Sequence, residues 1–348
     1  MIEKMNEILT GLKIKGECIN TETHRHFAFY DIRLAPGTKI RKLESSSREI
    51  ACGIKSLTDP IVKVLSKEGI VRLQVATEQA DKLSWVKIFQ GKPIPQEMTF
   101  PMLLGETDEG KKLWVDMAKS PHLLIAGATG SGKSVLLHTI IGNGLALNAM
   151  NNRKIHIHLV DPKKVEFHEY EDTYGVDSIH TTYEETIELL QMMTMKMEYR
   201  YSKMKGSARS VDENPLKYHL DLVVIDEVAD LLAQDKRSGV LEDLIINLAA
   251  KARAAGIYLI LATQRPSKDV FPTVLKANFG RIACRTASRV DSEVILDMPG
   301  AEKLLGRGDA ILRNMDHDRV RFQVAYAAPR LTKMMCDHFR KLALARLN

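Results

Sequence analysis

The chain has 348 residues, 45% hydrophobic and 27% charged, with a net charge of +6 and a pI near 9.0; this is globular usage, long enough for more than one core, and basic enough for nucleic-acid contact without requiring it. The cysteines Cys18, Cys52, Cys284 and Cys336 have neither paired spacing nor a His/Cys zinc pattern, which argues against a disulfide framework or structural zinc and points to a reducing, cytoplasmic setting. No basic-then-apolar leader opens the sequence and no run of about 18 apolar residues occurs, so no membrane span is expected in this chain.

Residues 1–100 read as a small α/β domain. Ala28, Tyr30, Ile32 and Leu34 alternate with Phe29, Asp31 and Arg33 and stop at Ala35-Pro36-Gly37, a strand entering a turn. Ser45-Ser46-Ser47 precede Ile50, Ala51 and Ile54, one face of a helix with a serine cap. Val71, Leu73 and Val75 give another short strand, and the prolines between Lys92 and Pro101 mark a domain boundary.

From residue 101 to about 330 the pattern changes. Four short apolar runs, Leu123 to Ala126, Ile155 to Val160, Leu222 to Ile225 and Ile257 to Ala262, alternate with longer helical stretches, as buried parallel strands do. The expected fold is a doubly wound α/β domain with a central, mostly parallel sheet, whose ligands bind at the carboxyl ends of its strands. Residues 331–348 read as a C-terminal helix, with Leu331, Met334, Met335, Phe339 and Leu342 at helical spacing.

Between the first run and a helical stretch lies Gly127-Ala128-Thr129-Gly130-Ser131-Gly132-Lys133-Ser134, the phosphate-loop pattern in its strand–loop–helix setting. Its glycines let backbone N–H groups turn around phosphate oxygens, and the following helix directs its positive end at them. Lys133 is expected to reach the β and γ phosphates of ATP and the Ser134 hydroxyl to bind Mg2+. The run ending Ile225-Asp226-Glu227 offers Asp226 to the magnesium shell and Glu227 to the attacking water, as phosphoryl transfer requires; a helix-capping pair is the plainer alternative. Gln264, just past the fourth run, would sit beside the γ-phosphate, or is a surface glutamine. His156 and His158 alternate with apolar residues on one run and read as structural, and Met192, Met193, Met195 and Met197 as core or interface filler.

Six blocks resemble the FtsK/SpoIIIE DNA translocases: Pro121 to Gly127 leading into the loop, Asp161-Pro162-Lys163, Val224 to Asp230, Lys251 to Gly256, Ala262 to Ser267 and Gly300 to Asp309, with Leu34 to Gly37 similar in the first domain. The resemblance implies a RecA-like P-loop ATPase stacked on a small domain, a homo-oligomer in the form of a hexameric ring, and double-stranded DNA through its centre. Arg253 matches the arginine that reaches the neighbouring subunit's ATP, where a guanidinium stabilises charge at the γ-phosphate; without the resemblance it reads as a solvated charge. Arg265, Lys276 and Arg289 match basic residues of two pore loops that touch the DNA backbone. Arg265, Lys268, Lys276, Arg281, Arg285 and Arg289 stand against one acidic residue, Asp269, which suits phosphate contact without base reading; a charged strand and loop of no function is the alternative.

The family's chromosomal members carry membrane spans and a winged-helix module, and the expectation here is a chain with neither, an excised motor core or a stand-alone translocase. Segregation, plasmid transfer and packaging all fit. A coupling ATPase that feeds protein or single-stranded DNA into a secretion or conjugation channel is the alternative function, and a non-catalytic ATP-binding scaffold a third, disfavoured by the intact Lys133, Asp226, Glu227 and Arg253.

Overall fold

A computed structural model describes the chain apart from residues 25, 77–81, 91–93, 151–153, 207, 214–217, 268–270, 272, 331, 335–336 and 338–348. Helix α1 (Ile2–Gly11) leads into strands β1 (Gly16–Thr23) and β2 (Phe27–Leu34), helices α2 (Ile40–Ser45) and α3 (Ser47–Ile54), and strands β3 (Ile61–Leu65) and β4 (Ile70–Ala76). These strands form an antiparallel sheet in the order β1-β2-β4-β3. Met5, Leu9, Leu43 and Ile50 from the helices close one face over Tyr30, Ile32 and Leu73.

The alternation expected along β2 is absent, because Phe27 to Ile32 are all buried. Both faces of the strand are covered. On the second face Arg72 grips Asp31 at 2.6 Å and stacks over Phe29, while Arg321 stacks over Phe27. The expected serine cap is also corrected: Ser46 precedes α3 but makes no side-chain cap bond, and Ser47 Oγ instead donates to the Glu44 carbonyl of α2.

After α4 (Trp85–Gln90) the chain forms β5 (Pro101–Thr107), β6 (Lys112–Asp116), β7 (His122–Ala126), α5 (Lys133–Met150), β8 (Ile155–Val160), β9 (Val176–His180), α6 (Tyr183–Met204) and β10 (Leu220–Ile225). It continues with α7 (Val228–Asp235), α8 (Val240–Lys251), β11 (Ile257–Thr263), α9 (Thr273–Lys276), β12 (Gly280–Cys284), α10 (Arg289–Leu296), β13 (Asp309–Arg313) and β14 (Val320–Val324). A 10-stranded sheet runs β6-β5-β14-β13-β12-β7-β11-β10-β8-β9. From β12 to β9 the pairings are parallel, and from β12 to β6 antiparallel.

The four apolar runs are the centre of this sheet, buried on both faces. Helix α5 is apolar on nearly every side because it lies between the parallel half and β5, where Asn143 accepts from the Leu103 amide at 3.0 Å and donates to its carbonyl at 3.1 Å. In α6 Met193 and Met197 are buried one turn apart while Met192 and Met195 are exposed. Leu83, Trp85 and Phe89 join the large core rather than the small one. Of the C-terminal stretch, Thr332 to Met334 are helical; Leu331, Met335, Phe339 and Leu342 lie outside the described residues.

Candidate nucleotide-binding site

The loop between β7 and α5 is shaped by its glycines. Gly130 and Gly132 have φ of 74° and 103°, open to glycine at little cost. A Cβ on Gly127 would stand 2.5 Å from Ser131 Oγ and 2.8 Å from the Cys284 side chain, and one on Gly132 would overlap the Gly308 backbone. The loop is anchored from both neighbouring strands: Gly127 N–H donates to the Thr263 carbonyl at 3.2 Å and Ala128 N–H to that of Arg285 at 2.8 Å. A third support comes from Gly306-Arg307-Gly308, whose Gly308 amide donates to Ser131 O at 2.8 Å and Arg307 amide to Gly130 O at 3.3 Å. Asp309, paired in a bidentate manner with buried Arg321 at 2.9 and 2.6 Å, holds that segment by accepting from the Leu305 amide.

Lys133 opens α5, 4% exposed, and its ammonium forms an ion pair with Asp226 at the end of β10. Burial raises the Asp226 carboxyl above its ordinary value, and Lys133 opposes that. Glu227 follows at φ 53°, a left-handed conformation that costs a residue with a Cβ about 1–2 kcal/mol and turns its side chain back under the sheet edge. Its carboxylate accepts from the Thr263 hydroxyl at 2.6 Å and the Gln264 amide at 3.1 Å, and meets Lys163 Nζ at 3.3 Å. Burial would push this carboxyl up, but the Thr263 and Gln264 hydrogen bonds and the Lys163 and Lys133 charges outweigh it and hold it below the ordinary glutamate value. Glu227 makes no capping bond to α7.

Gln264 reaches across to the loop, accepting from the Thr129 hydroxyl at 2.8 Å. Loop, Lys133, Ser134 and Gln264 line one cleft of about 1000 Å³ with Glu166, Arg285, Arg307, Leu83 and Tyr326. Glu166 had no signature in the sequence. Asp161 accepts from the Glu166 and Phe167 amides at 2.7 and 3.0 Å, and a left-handed Lys164 turns the chain back, bringing Glu166 to Ser134 and His138. The His138 hydrogen bond, with that of Ser134, holds the Glu166 carboxyl below its ordinary value against burial.

The ion-binding chemistry of the cleft fits magnesium. Ser134 and Glu166 supply hard oxygens in the cleft, and Asp226, buried and paired with Lys133, adds a carboxylate just behind it, the environment in which Mg2+ keeps water and takes one or two carboxylates. His156 and His158 bond to Asp177 and Ser178 at 2.7 and 2.8 Å, in keeping with structural roles.

Arg253 is not in this cleft. It is exposed at the start of the turn into β11 and donates to the Ala118 carbonyl at 2.9 Å, a strand length, roughly 20 Å, from the carboxyl edge. The basic residues divide. Arg265 and Arg289 are exposed, Arg289 with an i,i+4 partner in Glu293 at 2.7 Å. Lys276 is 15% exposed, and its ammonium is held by Asp297 at 2.8 Å and the Val294 carbonyl at 3.0 Å. Arg281 pairs with the same Asp297, and Arg285 lines the nucleotide cleft. Lys268 and Asp269 lie outside the described residues.

A phosphate loop at the carboxyl edge of a parallel sheet, an Asp-Glu pair ending the run two strands away with β11 between, and an antiparallel extension of that sheet define a P-loop NTPase of RecA-like fold. The FtsK/SpoIIIE family model matches residues 86–219 and 217–268, more than half of the chain, and the chain belongs to that family. The DNA translocase FtsK of Chlamydia muridarum (strain MoPn / Nigg) is 32% identical over 329 residues, 88% of this chain and 41% of the relative. That of Lactococcus lactis subsp. cremoris (strain MG1363) is 34% identical over 316 residues, 85% of this chain and 41% of the relative. The chain thus spans about two fifths of the length of these curated relatives. Among solved structures, the pCW3 conjugation coupling protein TcpA shares the fold at TM-score 0.68 and 23% identity over 98% of this chain and 99% of that one. The cytoplasmic domain of the Thermomonospora curvata type VII secretion ATPase EccC shares it at TM-score 0.63 and 23% identity over 75% of this chain and 34% of that one. No helix among the described residues is long and apolar enough to cross a membrane.

Proposed function

We propose that this chain hydrolyses ATP and, as a hexameric ring around double-stranded DNA, couples hydrolysis to movement along the duplex. The observation that carries it is the convergence on one cleft edge of the phosphate loop, the Lys133–Asp226 pair, and a Glu227 carboxylate kept ionised by Thr263 and Gln264. A scaffold that merely binds nucleotide has no need of the last.

In this mechanism the loop amides and Lys133 hold the phosphates, and Glu227 orients the attacking water and accepts its proton. Ser134 and Asp226 would hold a magnesium ion, which when bound would neutralise charge on the phosphates. Gln264, bonded to Thr129 and to Glu227 through its amide, links the γ-phosphate position to the segment that begins at Arg265. Arg253 sits at the opposite sheet edge, which supports service to a neighbouring subunit's nucleotide and a ring as the working form. Arg265 and Arg289 contact DNA phosphates; Lys276 joins them only on release from Asp297. The small sheet and the 10-stranded sheet correspond to the two domains of the motor, with α4 on the side of the large one.

The fold is shared with a conjugation coupling protein along nearly the whole chain, so fold does not separate a duplex motor from a coupling ATPase. The polymer does. ATP turnover measured with linear duplex, with single-stranded DNA and with neither should rise with duplex; stimulation by single strands alone would favour a DNA-coupling ATPase, and no response to either would sink the duplex motor and leave only a coupling ATPase that feeds protein.

A further inference from the structure

At one end of the small sheet the loop from α1 into β1 lies against the turn from β2 into α2. The β1–β2 ladder ends at Gly16 opposite Leu34, and the Lys15 carbonyl accepts from the Ala35 amide at 3.0 Å and the Thr38 hydroxyl at 3.1 Å. Lys42 donates its ammonium to the Lys13 carbonyl across the same gap. Backbone bonds therefore fix two cationic segments face to face. Between them opens a groove of about 660 Å³ whose wall holds Lys13, Lys15, Lys39, Arg41 and Lys42 and no carboxylate.

All five cations are exposed, and none forms an ion pair among the described residues. A solvated face ordinarily intersperses both signs, so a built concavity carrying one sign is an anion-attracting field. The groove does not end there. Arg41 and Ser45 also line an adjoining crevice of about 350 Å³, which contains Arg289, Lys303 and Arg319 together with Glu44 and Glu302. With four cations against two carboxylates, the crevice stays net positive and links the small-sheet groove to Arg289, the residue that the duplex-motor reading puts on DNA.

We propose that the groove between residues 13–15 and 36–45 is a second backbone-phosphate contact for duplex DNA, continuing the track from Arg289 through Arg41 onto the small domain. It deepens the duplex-motor reading and rests on it. Its contacts are sequence-independent, because ammonium groups in an open groove meet phosphates rather than base edges. Its effect is on grip: the small domain holds the duplex while the large one moves.

The test uses the full chain with a non-hydrolysable ATP analogue and a labelled random-sequence duplex, with anisotropy read against salt. Lys15→Gln, Lys39→Gln and Arg41→Gln together remove three charges and leave the Lys42 to Lys13 contact intact. The slope of log affinity against log salt should flatten by about 2.7 units, so that an about fourfold rise in salt costs the variant about 40-fold less affinity than the parent. DNA-independent ATP turnover should not change, and the charge-conserving set Lys15→Arg, Lys39→Arg and Arg41→Lys should keep the parental slope. A parental slope in the glutamine set, in a protein whose slope does respond to Arg289→Ala, overturns the groove and leaves the motor standing; it is also the result expected if the groove takes an acidic protein segment. Failure of the parent chain to bind duplex at all overturns both.

Discussion

Replacing Glu227 by Gln separates chemistry from binding. The amide has the shape of the carboxylate, and its oxygen can still accept from Thr263 and the Gln264 amide, now met at 2.6 and 3.1 Å. Lys163 loses one partner but keeps Asp230 at 3.2 Å. The left-handed backbone at position 227 is equally strained for either residue. Stability should therefore change by about 1 kcal/mol or less, and ATP affinity little, since the phosphates are held by the loop and Lys133. Hydrolysis should fall roughly 10²- to 10⁴-fold, the usual worth of a general base, or about 3–5 kcal/mol of barrier. Phosphate release measured beside equilibrium nucleotide binding reads both quantities. Turnover at the parental rate with normal affinity would refute Glu227 as the water-orienting base.

Gly132→Ala should destabilise the chain by about 2 kcal/mol or more and weaken ATP binding, because its φ is 103° and the new methyl meets the Gly308 backbone. Gly130→Ala, at φ 74° with open space around it, should cost only about 1 kcal/mol; equal costs in denaturant titrations would contradict the Gly306–Gly308 support. Arg253→Ala and Lys133→Ala should each abolish turnover, and rings shown to be mixed should regain part of it, because some interfaces then pair an intact loop with an intact arginine; silence across all mixing ratios would count against action in trans. Burial pushes His122 down to about 3 from 6.5, against a backbone hydrogen bond to Ala249. The folded state therefore refuses a proton that the unfolded state accepts, so this group's stabilisation is present above the unfolded value and is lost as pH falls. It should cost about 1 kcal/mol between pH 6 and 5. His122→Asn, whose carbonyl can still accept from the Leu259 amide bonded now to Nδ1 at 3.0 Å, should flatten that dependence in urea titrations.

What the sequence disclosed was what buried strands and a phosphate cradle write locally. The runs ending at Ala126, Val160, Ile225 and Ala262 are apolar because both sheet faces are covered, and the loop glycines answer to φ and to close backbone approach. The antiparallel half, β5, β6, β13 and β14, was illegible: Trp114 and Phe322 lie in short segments with mixed polarity, and the apolar run Met102 to Leu104 is short and bounded by Pro101 and Gly105. The supports of the site come from far along the chain. Glu166 reaches Ser134 only through the Asp161 turn, and Gly308 reaches Ser131 only because Asp309 and Arg321 pair. Likewise a count of basic residues could not reveal that Asp297 occupies Lys276 and Arg281, or that Lys15 and Lys39 converge.

Movement along duplex DNA is tested most directly by displacement of a third strand bound at one end of a linear duplex, followed in real time after ATP is added. The account predicts release that needs hydrolysable ATP, that is lost with Glu227→Gln, and whose delay grows with the distance between a free end and the third strand. Duplex-stimulated hydrolysis with the third strand left in place at every distance would contradict it.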